Sequence, residues 1–261
     1  MFSQEQRCIY RRNQLDGVIC QLRFPEILSI GANVPVAFQE AIRDEYPQYA
    51  AKMDSPAPKI TGRPGNFTLE NQPTTVNYHF TSEDGVWRIN LTSRFISLTC
   101  TRYTCWEDFA RRLDKPLVAF IQVYNPAYFE RVGLRYINFF NRKKMELENV
   151  ALKDLFSSRY LGPMADEEVT ENNFSMCNID TEFAIRGGCR VKIHAGPGMI
   201  KRGPQAQQES VFIWDQDLFM PGKVQINMTT GSLQTLHAQA FGIFRDAIAE
   251  QLHDALEPEY R

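Results

Sequence analysis

The stretch Val76-Asn-Tyr-His-Phe-Thr-Ser-Glu-Asp-Gly-Val-Trp-Arg-Ile-Asn-Leu91 decides the fold class. Val76, Tyr78 and Phe80 alternate with Asn77, His79 and Thr81, and Trp87, Ile89 and Leu91 alternate with Arg88 and Asn90. Successive side chains of a strand point to opposite faces, so each run has one apolar and one polar face. Between the runs, Glu83-Asp84-Gly85 offers the Asp-Gly chemistry of a hairpin turn. Such alternation predicts an antiparallel sheet with one covered face and one more polar face.

Working outward, Phe95–Cys100 reads as a third strand. Leu15–Phe24 reads as an earlier one, stopped by Pro25. Phe38, Ile42 and Tyr46 fall at helical spacing, and Pro47 blocks continuation. Ala50–Gly65, with Pro56, Pro58 and Pro64 following Pro47, is expected to be loop. Thr104-Cys-Trp-Glu107 has the form of a capping box. It opens a helix with Phe109, Leu113, Phe120 and Tyr124 inward and a kink expected at Pro116.

The second half follows the same grammar. Arg131–Asn141 is a strand and Leu152–Phe156 a short helical turn. Phe174–Ile185 and Cys189–His194 are strands joined across Arg186-Gly187-Gly188, and Val211–Leu218 is another. Ala195–Gln208, rich in glycine and proline, is expected to be a long mobile hairpin loop. A final helix from Gly231 carries Leu233, Leu236, Ala240, Phe244, Ile248 and Leu252 on one stripe. The expected fold is α+β, with antiparallel sheet packed against two long helices. A tandem β-α-β-β-β-α pseudo-repeat is expected in one compact unit over 1–261, with halves at 10–127 and 128–256. Duplication and chance likeness of two amphipathic halves both account for that order.

The chain has 261 residues, 43% of them hydrophobic and 12% aromatic, which is ample for a core and excludes wholesale disorder. The 29 basic and 31 acidic residues give no basic excess of the kind that phosphate neutralisation demands of a dedicated nucleic-acid binder. Met1–Tyr10 lacks a continuous apolar run, and no stretch approaches the roughly 20 apolar residues that span a bilayer. The cytoplasm is therefore the expected compartment, without membrane association, and the six cysteines read as free thiols.

Three stretches carry a resemblance: Leu15–Phe24 with Pro25, Phe38-Gln-Glu-Ala-Ile-Arg-Asp-Glu-Tyr-Pro47, and above all Arg131-Val-Gly-Leu-Arg-Tyr-Ile-Asn138. They resemble a sporadically distributed family of bacterial and archaeal proteins of similar length whose function is uncharacterised. Patchy distribution implies an accessory or defence-type role, and the resemblance supplies no catalytic residues. The order of elements is also similar to the duplicated saddle of the TATA-binding-protein fold, which binds DNA through a basic concave face with inserted apolar wedges. Here the polar face mixes Arg88, Arg190 and Lys192 with Asp180, Glu182, Asp215 and Asp217, which argues against general DNA binding.

Candidate sites are few. No cysteines share the close paired spacing of a zinc site, so buried thiols are the plainer reading. His79 and His194 belong on the polar face, whereas His237 and His253 read as rim residues of the last helix. His194 beside Asp180 or Asp215 could serve general acid/base chemistry. The pairs Asp180/Glu182 and Asp215/Asp217 each point one way and could hold a hard cation, or be neutralised by Arg88, Arg190 and Lys192. Arg23, Arg135 and Asn138 sit among apolar residues. They read as an anion or partner contact at a groove between the halves, or as internal ion pairs, for example with Glu130 or Asp16, that stitch the halves. Lys201 and Arg202 lie in Gly196–Pro204, which lacks the strand–loop–helix layout of a phosphate loop and reads as a partner-ordering or plain hairpin tip.

The expected function is non-catalytic binding of a protein partner, in a defence or toxin–antitoxin-like setting. The alternatives are a metal-dependent enzyme on phosphate esters or nucleotides, through Asp180, Glu182, Asp215 and His194, and nucleic-acid binding through Arg88, Arg190, Lys192, Lys201 and Arg202. No cofactor or metal centre is assigned, and the oligomeric state is left open.

Overall fold

A computed structural model describes residues 2, 3, 5–55, 59–63, 66–70, 74–174 and 176–260. Its first half holds β1 (Cys8–Tyr10), β2 (Leu15–Arg23), α1 (Leu28–Ala32), α2 (Val36–Ile42), β3 (Gln48–Asp54), β4 (Lys59–Arg63) and β5 (Asn66–Glu70). It continues with β6 (Thr75–Thr81), β7 (Trp87–Leu91), β8 (Phe95–Cys100) and α3 (Trp106–Tyr124). The second half holds β9 (Phe129–Phe140), α4 (Leu152–Leu155), β10 (Ile179–Ala184), β11 (Arg190–Ile200), β12 (Glu209–Val224), α5 (Thr229–Ala247), α6 (Glu250–Ala255) and β13 (Pro258–Tyr260).

Nine strands form one antiparallel sheet in the order β10-β11-β12-β9-β2-β8-β7-β6-β3. The fold is α+β with two long helices, as the alternation at 76–91 predicts. The two halves are wired alike. Counting only the strands of this sheet, β2 at the centre is flanked by β8 and then β7, β6 and β3, and β9 beside it by β12 and then β11 and β10. The two first strands, β2 and β9, pair antiparallel at the middle of the sheet, with Val18 opposite Tyr136. One cluster of buried side chains runs from Val18 and Phe80 through Leu134 to Trp214 and Leu252.

Every helix that packs on the sheet does so on the same face. On α3, Trp106, Phe109, Leu113, Leu117 and Phe120 are buried at helical spacing, and Phe120 meets Phe24 at 4.8 Å between rings. Phe38 of α2 packs edge-on against Phe80. Ala240 of α5 accepts a hydrogen bond on its carbonyl from Gln216 of β12 at 3.3 Å.

Several local expectations are corrected. Cys105 precedes α3 without a side-chain cap, and Glu107 faces Arg7, so no capping box forms. Pro116 lies inside the helix, which is assigned without interruption from Trp106 to Tyr124. The loop expected over 50–65 holds most of β3, the edge strand, and all of β4, which pairs with β5 just beyond it; Pro56, Pro58, Pro64 and Gly65 lie outside the described residues. The strand expected over 174–185 is confined to Ile179–Ala184, and Ser175 lies outside the described residues.

The long mobile loop at 195–208 shrinks to the tip at 201–208, because β11 pairs with β12 as far as Ile200 opposite Glu209. Its proline is tolerated for a physical reason. β10 stops pairing at Ala195, so Pro197 has a neighbour strand on one side alone, the edge-like setting in which strands carry proline. Gly196 lies against the Cys177–Asn178 backbone, and a Cβ there would stand 2.6 Å from the Cys177 carbonyl oxygen. Gly196→Ala is expected to destabilise the fold by about 1–3 kcal/mol, and urea unfolding measures it.

The final helix is broken. α5 ends at Ala247, Ile248 is extended and bridges Phe156, and α6 restarts at Glu250. The freed backbone groups are satisfied by Ser157, which donates to the Ala247 carbonyl at 2.8 Å, and by Leu155, whose carbonyl accepts from Ala249 at 2.8 Å. Arg245, side chain 7% exposed, steadies the break by donating to the Ile248 carbonyl and pairing with Glu5 and Glu250.

Candidate functional site

Among the described residues no helix packs on the sheet's other face, which carries nearly all the residues expected on the polar face. Directly opposed residues share a face, so the register places Glu182, Lys192, Asp217, Arg135, Ile19 and Thr99 in one row on successive strands, ending toward Arg88. A second row runs Asp180, His194, Asp215 and Ile137. Two adjoining depressions lie over these rows and share Arg135, Glu182, Lys192 and Asp217.

The charges there pair with one another. Arg135 holds Asp215 through two hydrogen bonds, Nε at 2.8 Å among them. Arg131 reaches Asp217 and lies over the Phe219 ring at 4.6 Å. Gly133 makes this possible: its missing side chain leaves the space the Arg131 guanidinium fills, since a Cβ there would stand 2.1 Å from Nη1. Glu182 receives Arg190 at 2.9 Å and Lys192 at 3.2 Å, and the Arg190 hydrogen bond holds its carboxyl below the usual range. His194 Nδ1 lies 2.8 Å from Asp180.

The residues expected on the polar face do share it, but several of their partners differ from those expected. Arg88 lies three strands from Arg135, roughly 14 Å at about 4.8 Å per strand, and neutralises neither aspartate. His79, on β6, is six strands from His194 and bonds Asn90 at 3.3 Å, so the two histidines do not converge. Asp16 pairs with Arg202 at 2.7 Å rather than with Arg23 or Arg135. Arg23 and Arg88 are exposed and make no ion pair among the described residues, and Lys201 sits exposed at the hairpin tip. Asp215 and Asp217, engaged by arginines, are not free as cation ligands. Among the described residues no three His, Cys, Asp or Glu side chains gather as a metal site would require.

Beneath the covered face lies a second site that the sequence reading missed. A cleft of about 680 Å³, counting its open mouth, lies between β9, β12, α5 and the segments around Tyr10 and Tyr103. Its floor is polar: Tyr136 and Gln216 stand opposite each other in the β9–β12 register, and Asn138 lies next to them on the same face. His237, expected at the rim, is instead folded in. Its ring stacks on Trp106 at 4.6 Å and 10°, and Nδ1 lies 2.7 Å from the Tyr136 hydroxyl. Burial, with Arg7 nearby, pushes its pKa down to about 3, so the ring is neutral near pH 7. Burial likewise raises the Tyr136 phenol well above its ordinary value. His237 Nε2 and Gln216 Oε1 are buried without a hydrogen-bond partner among the described residues.

At the mouth, Arg7 and Glu107 form a double hydrogen bond at 2.8 and 3.2 Å, which holds Glu107 down at about 2. His253, also expected at the rim, is buried on α6 between the hydroxyls of Tyr10 at 2.9 Å and Tyr260 at 3.1 Å. A signal for His237 does exist in the sequence: with Leu233, Leu236, Ala240 and Phe244 it falls at i, i+3, i+4, i+7 and i+11, on the apolar stripe.

The cysteines are free: Cys8, Cys20, Cys100 and Cys189 are buried, Cys105 and Cys177 half-buried. Burial lifts the Cys20 thiol to about 12 and Cys100 to about 11, far from nucleophilic readiness. No helix among the described residues is long and apolar enough to cross a membrane. Set against protein-family models and curated proteins, the chain matches none.

Proposed function

We propose that the chain is a non-catalytic binding protein of the cytoplasm that docks a protein partner on the open face of its sheet. The observation that carries this is the uncovered face itself, whose acids and bases are already paired in cis: Arg135 with Asp215, Arg131 with Asp217, Arg190 and Lys192 with Glu182. A surface neutralised from within offers a polyanion little counterion release, the main source of nucleic-acid affinity. It suits a partner that reads shape and the half-buried Ile19 and Ile137 between the ion pairs, with Arg23 and Arg88 left over to steer it. An accessory role in defence, or in a toxin–antitoxin-like pair, is compatible with this reading and rests on the resemblance of the sequence stretches.

The test uses the full chain as bait in extract from cells that natively make it. Three baits are compared: wild type, the double variant Arg88→Glu/Lys192→Glu, and Glu40→Lys on the exposed side of α2. A specific partner is expected to be retained by wild type and Glu40→Lys and to fall about tenfold with the double variant, a change near 1.4 kcal/mol. Equal retention by all three baits, or recovery of nucleic acid alone with steep salt dependence, overturns the reading.

A further inference from the structure

The cleft under the covered face lies on the opposite side of the sheet from the proposed docking surface, and a different chemistry addresses it. Its floor holds amides where a packed core would hold leucines. Gln216 is 3% exposed, spends its Nε2 on the Ala240 carbonyl, and leaves Oε1 without a partner. His237 spends Nδ1 on Tyr136, and whichever of the two donates, Nε2 is left over. When the Tyr136 hydroxyl donates, that orphan is an N–H. In that tautomer an acceptor, Gln216 Oε1, and a donor, His237 Nε2, are both unmatched beside an open cleft, and they cost the fold free energy that a ligand with the complementary pair would recover.

The charge lining the cleft narrows the class. Among the described residues that line it, Arg7 is the one cation, and Glu107 already binds it in two places. His237 is neutral. A phosphate or carboxylate therefore finds no free counter-charge. The walls supply aromatic rings, Tyr10, Tyr103 and Phe244 among them, against which a flat ring system stacks.

We propose that this cleft binds an uncharged, planar heteroaromatic molecule of the nucleobase kind, whose edge offers a donor to Gln216 Oε1 and an acceptor to His237 Nε2. The site holds the molecule by its edge and by stacking; no covalent step is involved.

Cys105 tests this in the unmodified chain, because it is half-buried and lines the cleft, whereas Cys177 is half-buried and lies elsewhere. Alkylation of each by iodoacetamide is followed by peptide mass spectrometry, with adenine or hypoxanthine present at up to about 1 mM. The expected result is at least a threefold slowing at Cys105 with Cys177 unchanged, and loss of that slowing in Gln216→Leu, which keeps the shape and removes the amide. Absence of protection by either base overturns the proposal. So does protection that persists in a Gln216→Leu chain melting at or above the wild-type temperature, and so does equal protection by toluene, which has no hydrogen-bonding edge. If Gln216→Leu fails to fold, His237→Phe, which keeps a flat ring and removes Nε2, takes its place under the same outcomes.

Discussion

Replacing Trp214 by alanine is expected to lower stability by about 3–5 kcal/mol. Trp214 is fully buried at the centre of the second half. Tyr160 meets it edge-on at 4.7 Å and Phe244 lies at 6.4 Å. The ring thus ties β12 to α5 and to the segment that follows α4. Its removal leaves a cavity bounded by the sheet on one side and by two separate elements on the other, which cannot collapse together. The indole N–H has no hydrogen-bond partner. Trp214→Phe, which removes that orphan donor and keeps most of the volume, is therefore expected to cost far less. Urea denaturation of both variants measures the difference, and equal losses would show that the ring does not bridge these elements.

A second large effect is expected from acid. The folded chain holds His237 neutral to about pH 3, while the unfolded chain protonates it at about the ordinary 6.5. Below 6.5 the unfolded state thus binds the extra proton, and stability falls with falling pH, by at most about 1.4 kcal/mol per unit and about 2 kcal/mol between pH 7 and 5. The depressed carboxyl of Glu107 acts in a different window. Its ion pair contributes above about pH 4.5 and fades only toward 2, so it cannot account for a loss between 6.5 and 5. His79 is also depressed, by burial first and then by Arg88 and Lys52, and adds to the loss with the same sign. Urea midpoints at pH 7, 6 and 5 for wild type and His237→Gln separate the two. The variant should be flatter across this range, and parallel curves would show that His237 is not held neutral.

How much of this could be read from the chain follows from which forces are local. Alternation at 76–91 and 131–138 exposed both faces of the sheet, because a strand's period of two is written in adjacent residues. The row of charges on the open face followed from the same parity. Their partners did not, since Arg135 meets Asp215 across a strand pairing of 80 residues' separation. Gly196-Pro197-Gly198 looked like loop because glycine and proline weaken a ladder; what makes them strand is a missing neighbour and a close backbone, both tertiary. Ile248 continued the apolar stripe of the last helix, so periodicity could not see a break made by hydrogen bonds to residues 155 and 157. The cleft was hidden for a related reason. A histidine on a helix reads as surface, and the polar floor facing it, Tyr136 and Gln216, comes from two strands on the covered side.

The pairing of β2 with β9 at the centre of the sheet also orders events in time. A ribosome adds about 5–20 residues per second, so Val18 waits roughly ten seconds before Tyr136, its partner, exists. Until then the nascent first half presents β2 as a bare edge. When β9 arrives it closes that edge and exposes its own, 12 residues running from Phe129 to Phe140, which β12 covers only after some seventy residues more have been made. A long, unpaired, aromatic-rich edge is a template for other chains. Translation halted between Asn141 and Gln208 would therefore release a species prone to association, and the cell's demand for a chaperone should peak over that interval rather than at the end of synthesis.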